Sequence, residues 1–204
     1  MTLEEKIEQL NMPVIYTRQL GKDIESKIDG CRKFVAGTQE PSIGPGGGLF
    51  NMSDILCHEG PRRQAELNNE FQKIAVEGTR LKISLIMIDE STHGLQAAGA
   101  TIFPEGLSIG STWNVGLVKE IYATVAREAR STGTNHMCIL VIEPNRDPRM
   151  GRNSEGYSED SYMCSQIAEA IVTGAQGDNI AAPYKAVAVL CDFSICCFGM
   201  EYSQ

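Results

Sequence analysis

The sequence predicts a parallel α/β fold, and three observations carry the prediction. The apolar runs at 83–88, 137–142 and 186–190 are short and continuous rather than alternating, as expected of strands covered on both faces. Segments with helical spacing lie between them: Leu117, Val118, Ile121, Val125 and Ala126, then Ile167, Ala168, Ala170 and Ile171. The first two runs each give way to a polar loop broken by glycine, which is where α/β proteins place their sites.

The elements follow in chain order. Thr2 and Glu5 have capping-box spacing, and Leu3, Ile7 and Leu10 line one face of the helix they open. Residues 28–48 are polar and glycine-rich, end in Gly44-Pro-Gly-Gly-Gly48, and read as turns and a bent loop. A phosphate cradle would need a following Gly-Lys-Ser/Thr, which is missing. Pro61 suits a helix first turn, and Leu67, Phe71, Ile74 and Ala75 continue that helix to Gly78. The 83–88 strand ends in Asp89-Glu90-Ser-Thr-His93-Gly94. After Thr101-Ile-Phe-Pro104 and Ser111-Thr-Trp113, Asn114 serves as N-cap of the next helix. Trp113, just ahead of that cap, reads as core packing before it reads as a stacking platform for a sugar. The 137–142 strand feeds a charged loop, followed by a helix over 161–175 and the 186–190 strand. A (β/α) barrel and a doubly wound sheet both produce this repeat. No Gly-x-Gly-x-x-Gly opens a helix after the first strand, so a dinucleotide fold is disfavoured.

Composition narrows the partners. A chain of 204 residues suits one well-buried domain, and 42% hydrophobic content is that of a globular protein. A net charge of −8 weighs against nucleic acid and anionic membranes. No run approaches the ~18 apolar residues of a membrane span. Charges at Glu4, Glu5, Lys6 and Glu8 exclude a signal peptide at this start, so the chain as written reads as soluble and cytoplasmic. Seven cysteines without a Cys-x-x-Cys pair fit unpaired thiols in a reducing compartment. No metal site and no cofactor motif are expected.

The chemistry concentrates in residues 146–160, which hold Arg146, Arg149 and Arg152 with Asp147, Glu155, Glu159 and Asp160. Glu159 and Asp160 precede a helix, where carboxylates favour the helix start. Asp147 and Arg149 suit a pair across the turn. For Arg152 and Glu155, three apart after Gly151, a structural pair and a binding role stay equally open. Glu90 and His93 follow the earlier strand, with His93 read first as a brace for its loop. A guanidinium and carboxylates around one mouth suit the neutral hydroxyls of a sugar better than a phosphate, which would call for more cations.

Five motifs occur in order: Glu90-Ser-Thr-His93-Gly94, Thr101-Ile-Phe-Pro104, Ser111-Thr-Trp113-Asn114, Glu128-Ala-Arg130, and Arg146-Asp-Pro-Arg-Met-Gly-Arg152-x-x-Glu155-x-x-x-Glu-Asp160. Together they resemble the N-terminal domain of glycoside hydrolase family 3, the β-glucosidase and β-xylosidase type. The opening residues 1–10 and Ala75-Val-Glu-Gly-Thr-Arg80 are also similar, so the resemblance covers most of residues 1–190. It implies a TIM-type (β/α) barrel, incomplete in this chain, from a glycosidase that cleaves terminal β-linked glucose or xylose with retention. It also implies that Glu90 and His93 bind substrate, that Arg152 binds further hydroxyls and that Glu155 orients Arg152. The partner would be a β-linked oligosaccharide or a glucoside or xyloside. Retention requires two carboxyl groups about 5–5.5 Å apart. The family's nucleophile lies on a later strand and its acid/base outside the barrel, so no catalytic residue is expected within this chain.

The chain departs from the family after Leu190. Cys191-Asp192-Phe193 stands where a Lys-His-Phe triplet is expected, and residues 191–204 read as a divergent tail after a partial barrel domain at 1–190. A retained intron or a frameshift near Leu190 would produce such a tail. The chain alone is therefore expected to be inactive. The alternatives are a non-catalytic carbohydrate-binding or regulatory module and, disfavoured by the ordered motifs, a complete α/β enzyme using Cys191 or Asp192.

Overall fold

The computed structural model describes residues 1–13, 21, 23–38, 45–50 and 60–190. The described residues group into two compact units. The first draws on the described residues within Met1–Asp89, Gln96–Gly99 and Ser131–His136, and the second on those within Glu90–Leu95, Ala100–Arg130 and Met137–Gln204.

In the first unit, α1 (Leu3–Glu8) begins with the expected capping box. The Thr2 hydroxyl accepts from the Glu5 N–H at 3.2 Å, and the Thr2 N–H donates to the Glu5 carboxylate at 2.6 Å. Its apolar face does not become core: Leu3, Ile7 and Leu10 are all exposed. An ion pair from Arg80 to Glu5 fastens the helix instead.

Residues 28–36, expected as turns, belong to a second helix, α2 (Ile24–Ala36). Asp23 and Ser26 form its capping box, and Gly37 ends it in the left-handed conformation that glycine adopts without steric cost. Its buried face is Lys27, Gly30, Cys31 and Phe34, at helical spacing but with only one large apolar residue. Cys31 and Phe34 share a core with Leu67, Phe71 and Ala75 of α3 (Pro61–Gly78) and with Leu49, Leu85 and Met87. The glycines that follow α2 form a bent loop. A Cβ on Gly47 would stand 2.1 Å from the Gln9 carbonyl oxygen, and the Gly47 N–H donates to Asn11 O at 3.0 Å. The Gly44 end of this run lies outside the described residues.

A short strand, β1 (Gly48–Phe50), opens on the last glycine of that stretch. It pairs in parallel with β2 (Ile86–Glu90), in the register Gly48↔Ile86 to Phe50↔Ile88. The expected 83–88 strand thus begins three residues later and ends two residues later. The Leu85 backbone is not in the ladder because the Gln72 side chain satisfies both of its polar groups, at 2.9 Å and 2.8 Å.

The second unit holds α4 (Gly106–Gly110), most of α5 (Val115–Thr132), most of β3 (His136–Leu140), a 3-10 turn at Pro148–Met150, α6 (Ser161–Gln176) and β4 (Val187–Leu190). Asn114 caps α5 as expected, its side-chain oxygen accepting from the Leu117 N–H at 3.0 Å. Asp160 caps α6 through the Met163 N–H at 2.8 Å. Trp113 is not core: it is 73% exposed, and its backbone sits at φ +52°. The strands follow the order β1-β2-β3-β4, with helices between successive strands. Backbone bonds from Asn135 N–H to Met87 O and from Ser91 N–H to Cys138 O advance together along β2 and β3, as parallel strands require. Residues 191–204, including Cys191 and Asp192, lie outside the described residues.

Candidate functional site

The four sequence-designated residues, Glu90, His93, Arg152 and Glu155, all fall in the second unit and all are partly buried. Glu90 is the last residue of β2, and His93 lies in the loop that follows it. A sharp turn permits that loop. Gly94 sits at φ +120°, and a Cβ there would stand 2.2 Å from the Thr101 carbonyl oxygen. The returning chain then pairs with it, the Phe103 N–H donating to His93 O at 2.7 Å. His93 thus braces the loop through its backbone, while its Nε2 faces Glu105 at 3.9 Å. Glu128 of α5 holds the returning chain by accepting from both the N–H and the hydroxyl of Thr101, at 3.0 Å and 2.7 Å.

The charged loop after β3 sorts its residues by burial. Arg149 and Asp147 pair across the turn on the surface, where the guanidinium holds the Asp147 carboxyl down at about 2. Arg146 straps the loop's end, donating to Glu159 O and to the Ser161 hydroxyl, each at 3.0 Å. Arg152 and Glu155 form a two-pronged pair, Nε to Oε1 at 2.7 Å and Nη2 to Oε2 at 2.5 Å. Side-chain exposures of 41% for Arg152 and 23% for Glu155, against 89% for Arg149, separate this pair from the surface one. Two parallel bonds fix the plane of the guanidinium, and such a fork presents hydrogen-bond donors in a set direction.

Sequence reasoning missed what holds this loop. Gly106 and Gly110 of α4 lie against its backbone, where added Cβ atoms would stand 2.0 Å from Glu155 O and 1.9 Å from Tyr157 O. Their four-residue spacing, which puts both on one helix face, was the available signal. Tyr122 and Tyr157, buried with their hydroxyls 2.6 Å apart, were also missed. A tyrosine in the buried stripe of Val118, Val125, Ala126 and Ala129 signals a hydroxyl in need of a partner. The identity of a partner 35 residues away is not readable from spacing. Among the described residues, no three His, Cys, Asp or Glu side chains gather as a metal site.

The glycosyl hydrolase family 3 N-terminal domain matches the chain over residues 2–188. A Formosa agariphila protein whose name assigns it as a beta-xylosidase is 34% identical over 188 residues, covering 87% of this chain and 22% of that protein. The periplasmic beta-glucosidase of Salmonella typhimurium is 35% identical over 109 residues, or 53% of this chain and 14% of that enzyme. Among solved structures, a b-glucosidase from Erythrobacter marinus superposes with a TM-score of 0.76 at 28% identity, covering 94% of this chain and 24% of that one. The exo-1,3/1,4-beta-glucanase of a Pseudoalteromonas species gives 0.74 at 25% identity, over 94% and 23%. The chain spans less than a quarter of each of these proteins. Its parallel strands with helices between them are the fold of their barrel-type domains. The chain belongs to glycosyl hydrolase family 3 and carries the N-terminal domain of that family.

Proposed function

We propose that this chain supplies the sugar-recognition part of a retaining glycosidase acting on terminal β-linked glucose or xylose. Glu90 and Arg152 bind hydroxyls of the non-reducing sugar, His93 lines the same subsite, and Glu155 orients Arg152. The observation that carries the proposal is the two-pronged, partly buried Arg152–Glu155 pair in the loop that follows β3. With both oxygens engaged by the guanidinium, Glu155 is committed to orientation and is unsuited to attack an anomeric carbon. The relatives named for beta-xylosidase and beta-glucosidase activity support the choice of sugars. The proposed role of these residues is therefore recognition, with bond cleavage requiring carboxyl groups beyond them.

Calorimetry with glucose and xylose, alongside an aryl β-glucoside and β-xyloside assay, tests this. The expected result is saturable binding with a Kd on the order of 1 mM, abolished in R152A, and no aryl alcohol released. Absence of saturable binding to either sugar, or equal binding by R152A, overturns the recognition role. Measurable hydrolysis overturns the restriction to recognition.

A further inference from the structure

Tyr122 occupies the middle of α5, with its ring wholly buried and its hydroxyl 2.6 Å from the Thr92 carbonyl oxygen and 2.6 Å from the Tyr157 hydroxyl. Thr92 belongs to the loop of Glu90 and His93. Tyr157 follows the Arg152–Glu155 pair by two residues. The direction of these bonds is fixed by a count of protons. A carbonyl oxygen only accepts, and a phenol has one hydrogen, so the Tyr122 proton goes to Thr92. Tyr157 must then be the donor to the Tyr122 oxygen. The chain runs one way, from Tyr157 through Tyr122 to Thr92. Burial pushes the Tyr122 hydroxyl up to about 12 and Tyr157 well above its ordinary value, so both keep the protons this arrangement needs at neutral pH.

We infer that Tyr122 and Tyr157 are positioning residues that tie the 90–93 loop to the 151–157 loop and so set the spacing of the two halves of a sugar clamp, Glu90 with His93 and Arg152 with Glu155. The far side of the second loop is already fixed. Gly106 and Gly110 leave no room between α4 and the backbone of Glu155 and Tyr157, and the Leu107 N–H donates to Ser154 O at 3.1 Å. The hydroxyl chain fixes the side that faces α5. A mere core role would be served equally by phenylalanine at both positions. The directed bonds instead predict unequal effects for the two substitutions. Y122F strips Thr92 O of its donor and leaves the Tyr157 hydroxyl without its acceptor, so both loops lose an anchor. Y157F removes one donor and leaves the bond from Tyr122 to Thr92 in place.

This tie rests on the sugar-clamp reading for its purpose but not for its existence, and the experiment separates the two. Amide hydrogen exchange on the full chain reads the loops without any ligand. The Phe103 amide, bonded to His93 O, reports the first loop, and the Glu155 amide, bonded to Arg152 O, reports the second. In Y122F both amides should exchange about tenfold faster, while Val125 and Ala126 in α5 keep their protection. In Y157F only the Glu155 amide should speed up. Equal behaviour of the two variants, unchanged exchange in Y157F, or loss of protection throughout α5 in a variant that folds overturns the tie. Should Y122F fail to fold, Y157F alone still decides it, through the contrast between Glu155 and Phe103. Titrating glucose and xylose into the same samples tests the clamp. If the unaltered chain binds neither sugar, the clamp reading falls while the exchange pattern still judges the tie. If it binds, Y122F should weaken binding more than Y157F.

Discussion

Gly94 and Gly151 both sit at positive φ, +120° and +82°, in loops that carry proposed sugar-binding residues, yet only one of them lacks space. A Cβ on Gly94 would meet Thr101 O at 2.2 Å, whereas nothing lies within 4 Å of one on Gly151. Backbone strain alone costs about 1–2 kcal/mol for a residue with a Cβ in the left-handed region. G151A should therefore lose about 1 kcal/mol. G94A adds displacement of a backbone carbonyl and should lose about 3 kcal/mol. Urea unfolding of the two variants measures the difference, and equal losses would show that the Thr101 contact is not rigid. The sequence displayed Gly94 next to His93 but not the chain that returns at Thr101. That return is a contact between separate motifs, and local pattern does not encode it. Trp113 shows the converse: an aromatic beside a helix cap suggested core, but the backbone at φ +52° leaves the ring in solvent.

Among the elements, legibility depended on whether the buried face was made of residues that look apolar. The helices α3, α5 and α6 were readable because Leu67, Phe71, Val118, Val125, Ile167 and Ile171 repeat at helical spacing and are buried. The buried face of α2 uses Lys27, Gly30 and Cys31 beside Phe34, so its pattern was invisible, although the Asp23–Ser26 cap was there to be read. The displacement of β2 has another cause: pairing with β1 and the Gln72 side chain, not β-propensity, decides where the ladder starts. The tyrosine pair gives α5 a pH dependence of definite sign. Burial disfavours the phenolate, so Tyr122 in the fold titrates at about 12, above the ordinary value of about 10. Its contribution to stability is fully present below pH about 10 and is lost as pH rises toward about 12. The urea midpoint should fall across that window together with a rise in tyrosinate absorbance, and Y122F should blunt the fall. A midpoint that declines equally in Y122F would place the alkaline sensitivity elsewhere.

At the scale of the whole molecule, the family match over residues 2–188 crosses both compact units, while every proposed sugar-binding residue lies in the second. Binding at the clamp should nonetheless register in global stability, because a ligand that binds only the folded chain stabilises it by mass action. At about ten times Kd the gain is about 1.4 kcal/mol, which for a chain of this size raises Tm by about 3–6 °C. Two of the three arginines of the charged loop make the test specific. Arg149 pairs with Asp147 on the surface, and Arg152 pairs with Glu155 in a partly buried fork. R149A should keep the glucose- or xylose-induced rise in Tm, and R152A should lose it. R152K keeps the charge but replaces the planar fork with a point donor, so it should recover only part of the rise. A sugar-induced rise in R152A equal to that of the unaltered chain would detach the arginine from recognition. Equal loss in R149A and R152A would mean that loop charge, rather than the geometry of the Arg152–Glu155 fork, holds the sugar.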